Sequence, residues 1–210
     1  MSLYGRSPIY YNGAIANAEL VPEIFPGWTL RIYCEEGINS TELEKLGCEI
    51  VNKPASRIHS GMFWRFLAAW DNKAERAIFR DADSRLNTKE AAAVKAWEKS
   101  GKNAHCMMDH PHHSILPLSG GMWGIKCNIL PRRILRELLR NCRRRQMRVM
   151  DMRWLRDKVH PLIQGSLLRH SSVPTKWPHI PFPSHQKYNG FIGQQHDEKG
   201  EPIWPKNRRG

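Results

Sequence analysis

No stretch of this 210-residue chain is long and apolar enough to cross a bilayer. Its apolar runs are short and broken by charge, whereas a spanning helix needs roughly 20 apolar residues. No signal-peptide pattern opens it. Both absences lead us to expect a soluble protein of the cytoplasm. Its five cysteines (34, 48, 106, 127 and 142) are an odd number without a CxxC pair, which speaks against a disulfide framework and for reduced thiols. There is no internal repeat. Acidic residues are few, 20 against 33 basic ones, for a net charge of +13. What is present excludes disorder: 40% of the residues are apolar and eight are tryptophan.

The charge is concentrated. Residues 1–60 hold seven acids and five bases, while 131–160 hold eleven bases and three acids. One segment supplies most of the excess, the signature of a located basic surface.

Strand-like and helix-like patterns alternate. Residues 29–34 alternate as a strand, and 48–51 form a second. Between them, Asn39 and Glu42 read as a capping box, with Gly47 as the helix stop. Residues 61–70 read as a core helix, and 76–79 as a third strand. Asn87 and Glu90 form another capping box ahead of a helix that stops at Gly101. Residues 104–108 read as a fourth strand, and Pro131 opens a long helix. This order predicts a single α/β domain over 1–170, with a mostly parallel central sheet flanked by helices. Residues 171–210 are proline-rich and aperiodic. They read as a tail packing on the domain through Trp177, Phe182 and Tyr188, or as a disordered one.

The stretch AIFRDADSRLN (77–87) sets Asp81 and Asp83 directly after an apolar strand and before a capped helix. Ligands of open α/β sheets gather beyond the carboxyl ends of the strands. Two acids in an i, i+2 relation on a turn can aim oxygens at one hard cation, Mg²⁺ or Mn²⁺, which keeps phosphate as another partner. Arg85 could hold a phosphate oxygen beside it. That chemistry suits a diphosphate leaving group. The competing reading is a solvated loop whose acids cap helices and pair with arginines.

RDADSRL resembles the DxD segment of metal-dependent nucleotide-sugar glycosyltransferases with the GT-A fold, in particular small bacterial, viral and algal members. SLYG (2–5), GAIANAELVPEIFPGWTLRIY (13–33), GMFWRF (61–66), DHPHH (109–113), GGMWGIK (120–126) and PFPSHQKYNGFIG (181–193) follow in the same order. The resemblance implies a GT-A-like, Rossmann-like domain, a nucleotide-diphosphate sugar donor and a Mn²⁺ or Mg²⁺ cofactor. A viral chain of this kind would work in the host cytoplasm. Leu3, Tyr4 and Gly5 would touch the nucleotide. Asp81 and Ala82 would lie by the ribose and metal, and Asp83 on the metal. Arg65 and Arg85 would face the diphosphate or sugar. His170 is the counterpart of a late histidine on the metal, although Ser171 stands where the family carries an acid. Asp151 matches a segment near the acceptor and is the candidate base; alternatively it only pairs with Arg148 or Arg153.

Gly121, Met122, Trp123 and Gly124 lie in a glycine-rich stretch that lets backbone approach a sugar or acceptor. Trp123 could stack on a ring or simply pack. In HCMMDHPHH the spacing fits no standard zinc site; His110 is assigned to holding the sugar.

On a helical projection of residues 131–148, Ile134, Leu135, Leu138, Leu139 and Cys142 share one face. Arg133, Arg136, Arg140, Arg143 and Arg144 share the other, and like charges so placed repel by a few tenths of a kcal/mol per pair. Such a face is explained by a polyanion, with Arg136, Arg140, Arg143 and Arg144 on nucleic acid. A solvated face, or contact with anionic lipid or polysaccharide, are alternatives. The expected function is sugar transfer to an acceptor hydroxyl, the acceptor a hydroxylated base in phage DNA that would need flipping out. The rival is a non-catalytic, basic nucleic-acid-binding module.

Overall fold

The computed structural model describes residues 1–56, 58–183 and 190–203. Tyr188, one of the three aromatics expected to dock the tail, lies outside them. The fold is mixed α/β with two sheets. The first is parallel, in the order β1 (Ser2–Leu3), β2 (Arg31–Glu35), β3 (Glu49–Lys53). The second has four strands in the order β4 (Arg76–Phe79), β6 (Trp123–Lys126), β5 (Ala104–Met108), β7 (Leu167–Ser171). Here β6 runs antiparallel to both β4 and β5, whereas β5 and β7 are parallel. The expectation of a mostly parallel sheet therefore holds for the first sheet only. The cause is WGIK: with Trp123 and Gly124 expected at a ligand, it is instead a strand inserted between β4 and β5. Gly124 allows this, because a Cβ there would meet Ile78 at 2.9 Å and the Ala77 carbonyl at 3.0 Å.

Helix α1 (Pro8–Ile24) lays Gly13, Ala14, Asn17 and Ala18 against the core. Helix α2 (Thr41–Lys45) is one short turn. The capping box expected before it is absent: Ser40 is the cap, and Asn39 instead accepts from the Thr41 amide at 3.1 Å, a local Asx turn. Gly47 takes φ +81°, as a helix stop should. Helix α3 (Thr88–Lys99) carries the complete Asn87–Glu90 capping box. Glu90 also pairs with Arg80 in the interior, which fixes the turn after β4 to the start of α3.

Residues Ser60–Trp70 form a 3-10 helix rather than an α-helix. Phe63, Trp64, Arg65 and Phe66 are all buried, so this segment is packed all round. It starts tightly against β1, where a Cβ on Gly61 would enter the Tyr4 ring. The main core gathers Phe63, Phe66, Phe79, Trp123, Ile125, Leu138 and Trp154. Trp123 lies 4.5 Å from Phe79, centroid to centroid, and is fully enclosed.

Helix α4 covers only Arg132–Asn141, with Ile134 and Leu138 buried. It ends before the Arg143–Arg145 run, where extending it would stack like charges. The Gln146 side-chain Nε2 instead donates to the last carbonyl, Asn141 O, at 3.1 Å. Helix α5 (Met150–Trp154), a π turn (Leu155–Val159) and α6 (His160–Ile163) follow. None of the described helices is long and apolar enough to cross a membrane.

His170 lies within β7, fully buried, with Nδ1 2.9 Å from Nε2 of His105. Burial depresses both imidazoles, His170 to about 4. The folded chain therefore holds His170 neutral, while the unfolded chain protonates it below about 6.5. Its share of stability is present above pH 6.5 and is lost as pH falls towards 4, a span worth about 3 kcal/mol. Denaturant unfolding at pH 7 and pH 4 should show the parent losing about that much relative to His170→Gln.

Candidate active site

A cleft of about 550 Å³ opens where the C-terminal ends of β1, β4 and β5 meet the loop before β6. Tyr4 enters it from β1, and Asp81, Ala82 and Asp83 from β4. His110 and His113 follow β5, and Gly120, Gly121 and Met122 precede β6. Arg148 and Asp151 close one side, and Phe191, Gly193 and Gln195 of the C-terminal segment close another. A hollow of about 650 Å³ lies elsewhere, between the edges of the two sheets. Two of its acids, Glu49 and Asp71, are already paired with Arg31.

Arg65 is the centre of the cleft's charge. Its guanidinium binds the Asp81 carboxylate through one nitrogen and Asp151 Oδ2 through the other, at 2.8 Å. Arg65 and Asp151 are buried, while the Asp81 side chain remains 47% exposed. Asp151 thus pairs with Arg65, not with the neighbouring Arg148 or Arg153 weighed from sequence. Burial raises the Asp151 carboxyl against the opposing pull of Arg65. Asp83 is almost enclosed, and burial together with the Asp81 charge pushes its carboxyl up to about 6. His113 is lowered to about 4, chiefly by burial.

Two glycines make this packing possible. A Cβ on Gly121 would lie 2.1 Å from Asp81 Oδ2 and 2.9 Å from the Asp81 backbone nitrogen. One on Gly120 would lie 2.5 Å from Asp151 Oδ2 and 2.6 Å from Arg65 Nη2. The glycine-rich loop therefore makes room for the acids of the site. Gly121→Ala should displace Asp81 at a cost of roughly 1–3 kcal/mol, read as a lower denaturation midpoint with unchanged slope.

The DAD turn is held from behind by α1. Gly13 passes so close that a Cβ would sit 2.0 Å from the Ala82 carbonyl. Asn17, fully buried, donates to Ser84 O at 2.8 Å, Ala82 O at 3.3 Å and Gly13 O at 2.8 Å. Its Oδ1 accepts from the Leu86 amide at 3.0 Å. From the front, Gln195 Nε2 donates to Asp83 Oδ2 at 2.7 Å, and the His196 amide to Asp83 O at 2.8 Å. The segment carrying Gln195 is itself anchored, since Asp109 accepts from Lys89, Ser172 and the Ile192 amide.

Of the residues expected from sequence, Tyr4, Arg65, Asp81, Ala82, Asp83, His110, Gly121, Met122 and Asp151 line one cleft. Others do not. Leu3 is in the core, and the Gly5 amide donates to Glu35. Trp123 and Gly124 are packed within β6, so Trp123 is a core residue. Arg85 lies behind the turn, donating to Ser84 O at 3.1 Å. His170 sits against His105 and Phe182 in the core and is not part of the cleft lining. His110 stacks on Phe191, with 4.4 Å between ring centroids. Arg136, Arg140, Arg143 and Arg144 are exposed on the outer surface, as are Arg132, Arg133 and Arg145. Exposed Arg148 continues this surface to the cleft. Sequence reasoning missed Gly13, Asn17, Arg148 and Gln195. The one available signal was Asn17, a polar side chain on the small-residue face of α1.

The donor set suits a hard cation. Asp81 and Asp83 both bring carboxylate oxygens to the cleft, the ligand type that Mg²⁺ and Mn²⁺ take. Among the described residues no group of three His, Cys, Asp or Glu side chains is placed to hold an ion alone. Water and substrate phosphate would complete the shell.

No protein-family model matches the chain, and no curated protein does. A solved structure described as the crystal structure of a mycobacterial protein is similar over 60% of this chain and 51% of that one, at 14% identity and a TM-score of 0.39. The match thus spans about half the length of that structure.

Proposed function

We propose that the chain is a glycosyltransferase that moves a sugar from a nucleotide-diphosphate donor to an acceptor hydroxyl, with a GT-A-like site using Mn²⁺ or Mg²⁺. The observation that carries this reading is the cluster of Asp81, Asp83, Arg65 and Asp151 in one cleft at the strand ends. Asp81 and Asp83 would hold the cation, which would supply charge neutralisation for a departing diphosphate. The chain's own residues do the rest. Arg65 orients Asp81 and Asp151 together through an ion pair to each, which links the two sides of the cleft. Asp151, its carboxyl raised by burial, is better matched to removing the acceptor's proton than an ordinary aspartate. His110, stacked on Phe191, offers a flat wall and its Nε2 for a hydroxyl, since its Nδ1 accepts from the His112 amide at 3.3 Å. Thermal unfolding with nucleoside diphosphates and Mn²⁺ tests the donor side directly.

The acceptor we propose is nucleic acid. The supporting observation is that the exposed arginines of α4 and of residues 143–148 lead to the cleft through Arg148. Neutralising phosphates there releases counterions, so affinity falls steeply with salt. Changing Arg136, Arg140, Arg143 and Arg144 to alanine should lower the slope of log K against log salt by about 3 to 4 on duplex DNA. The same arginine surface is what favours the second reading, a non-catalytic nucleic-acid-binding module. That module predicts DNA binding without any Mn²⁺-dependent response to nucleotides.

A further inference from the structure

We propose that Gln195 is a ligand of the divalent cation, contributing its side-chain carbonyl oxygen beside Asp81 and Asp83; this rests on the cation-dependent reading above. The position of Gln195 is fixed by backbone on both sides. The His196 amide donates to Asp83 O at 2.8 Å, and the Ile203 amide to Gln195 O at 2.8 Å. Before it, Ile192 and Gln194 are buried, and the Ile192 amide is bound by Asp109 Oδ2 at 2.9 Å. The side chain itself is exposed and lines the cleft, so its amide group has room to turn.

A carboxamide carries a donor nitrogen and an acceptor oxygen on one carbon. Its terminal torsion is broad and two-fold, so a half-turn exchanges them. Facing a bare carboxylate, the nitrogen must point inward, as it does at 2.7 Å from Asp83 Oδ2, because two oxygens would repel. A cation beside Asp83 reverses that preference. The amide oxygen is then a neutral, hard ligand of the kind such ions accept from asparagine and glutamine.

The test is a Mn²⁺ titration of the full chain followed by water-proton relaxation, with Mn²⁺ alone as the probe. Gln195→Ala should weaken Mn²⁺ binding about tenfold or more. Gln195→Glu should bind at least as tightly as the parent, since a carboxylate oxygen replaces the amide oxygen. A residue that merely steadied Asp83 by donating a hydrogen bond behaves differently: glutamate would repel Asp83 and bind as poorly as alanine. That result, or unchanged affinity in Gln195→Ala, overturns the assignment. Because Gln195 is exposed, unchanged thermal unfolding serves as the folding control for both variants. A parent that gives no Mn²⁺ signal overturns the cation-dependent reading itself. A parent signal lost in Asp83→Ala but untouched at Gln195 overturns this inference alone.

Discussion

Asp83→Ala is expected to abolish the thermal stabilisation that a nucleoside diphosphate with Mn²⁺ gives the parent chain. A ligand at a hundred times its Kd stabilises the folded state by about 2.7 kcal/mol. For a chain of this size that is a rise of roughly 5–10 °C in Tm. The variant should show none, because the remaining carboxylate, Asp81, is shared with Arg65. Without ligand the order should reverse. The Asp83 carboxyl titrates at about 6 in the fold, above its ordinary value, because burial and Asp81 disfavour its charge. Its ionised form therefore costs stability above pH 6, and the cost fades as pH falls towards 4. Asp83→Asn, which keeps the shape, should be more stable than the parent at pH 7, by up to about 3 kcal/mol, and no more stable at pH 4. A site held at the expense of the fold is the usual sign of a group kept for function. Equal stability of the two at both pH values would argue that Asp83 is an ordinary structural acid.

The second large effect is expected at Asn17. Asn17→Ala removes the only side chain that ties α1 to the Ala82, Ser84 and Leu86 backbone among the hydrogen bonds described. Ser84 O keeps the Arg85 guanidinium at 3.1 Å, but Ala82 O and the Leu86 amide lose this partner in the interior, and each buried group so stripped costs about 1–3 kcal/mol. A loss of about 3 kcal/mol, or roughly 10 °C in Tm, is expected. Because Gly13 keeps α1 in contact with the Ala82 carbonyl, the fold should survive while the turn loosens. Mn²⁺-dependent nucleotide binding should then weaken in the folded variant at temperatures well below its Tm. A loss under about 1 kcal/mol would show that packing alone positions the turn.

Local signals are legible in part: the Asn39–Glu42 box does not form, because Ser40 takes the cap position. The Asn87–Glu90 box needs only three residues and two hydrogen bonds, and it forms. Gly47 stops α2 through its own backbone freedom. The apolar run before Asp81 is β4, which places both acids at a strand's C-terminal end. Signals that depend on distant partners were not legible. The sequence WGIK could serve equally as a loop or as a strand, and only its pairing with both β4 and β5 decides. His170 was assigned by resemblance, yet its ring is turned to His105 on the neighbouring strand β5. Gln195 lies more than a hundred residues from Asp83, so no spacing rule could join them. Nine of the residues named from sequence line the cleft, whereas the contacts of Arg65 and Gln195 depend on partners far away in the chain.

The central claim is that Asp81 and Asp83 hold a divalent cation against a donor's diphosphate. A crystal structure with Mn²⁺ and a nucleoside diphosphate tests it most directly. The account predicts an anomalous manganese peak within about 2.3 Å of oxygens of Asp83 and of the diphosphate. Nucleotide absent from the cleft and no manganese at the turn, with Asp81 still on Arg65 and Asp83 still on Gln195, would contradict it.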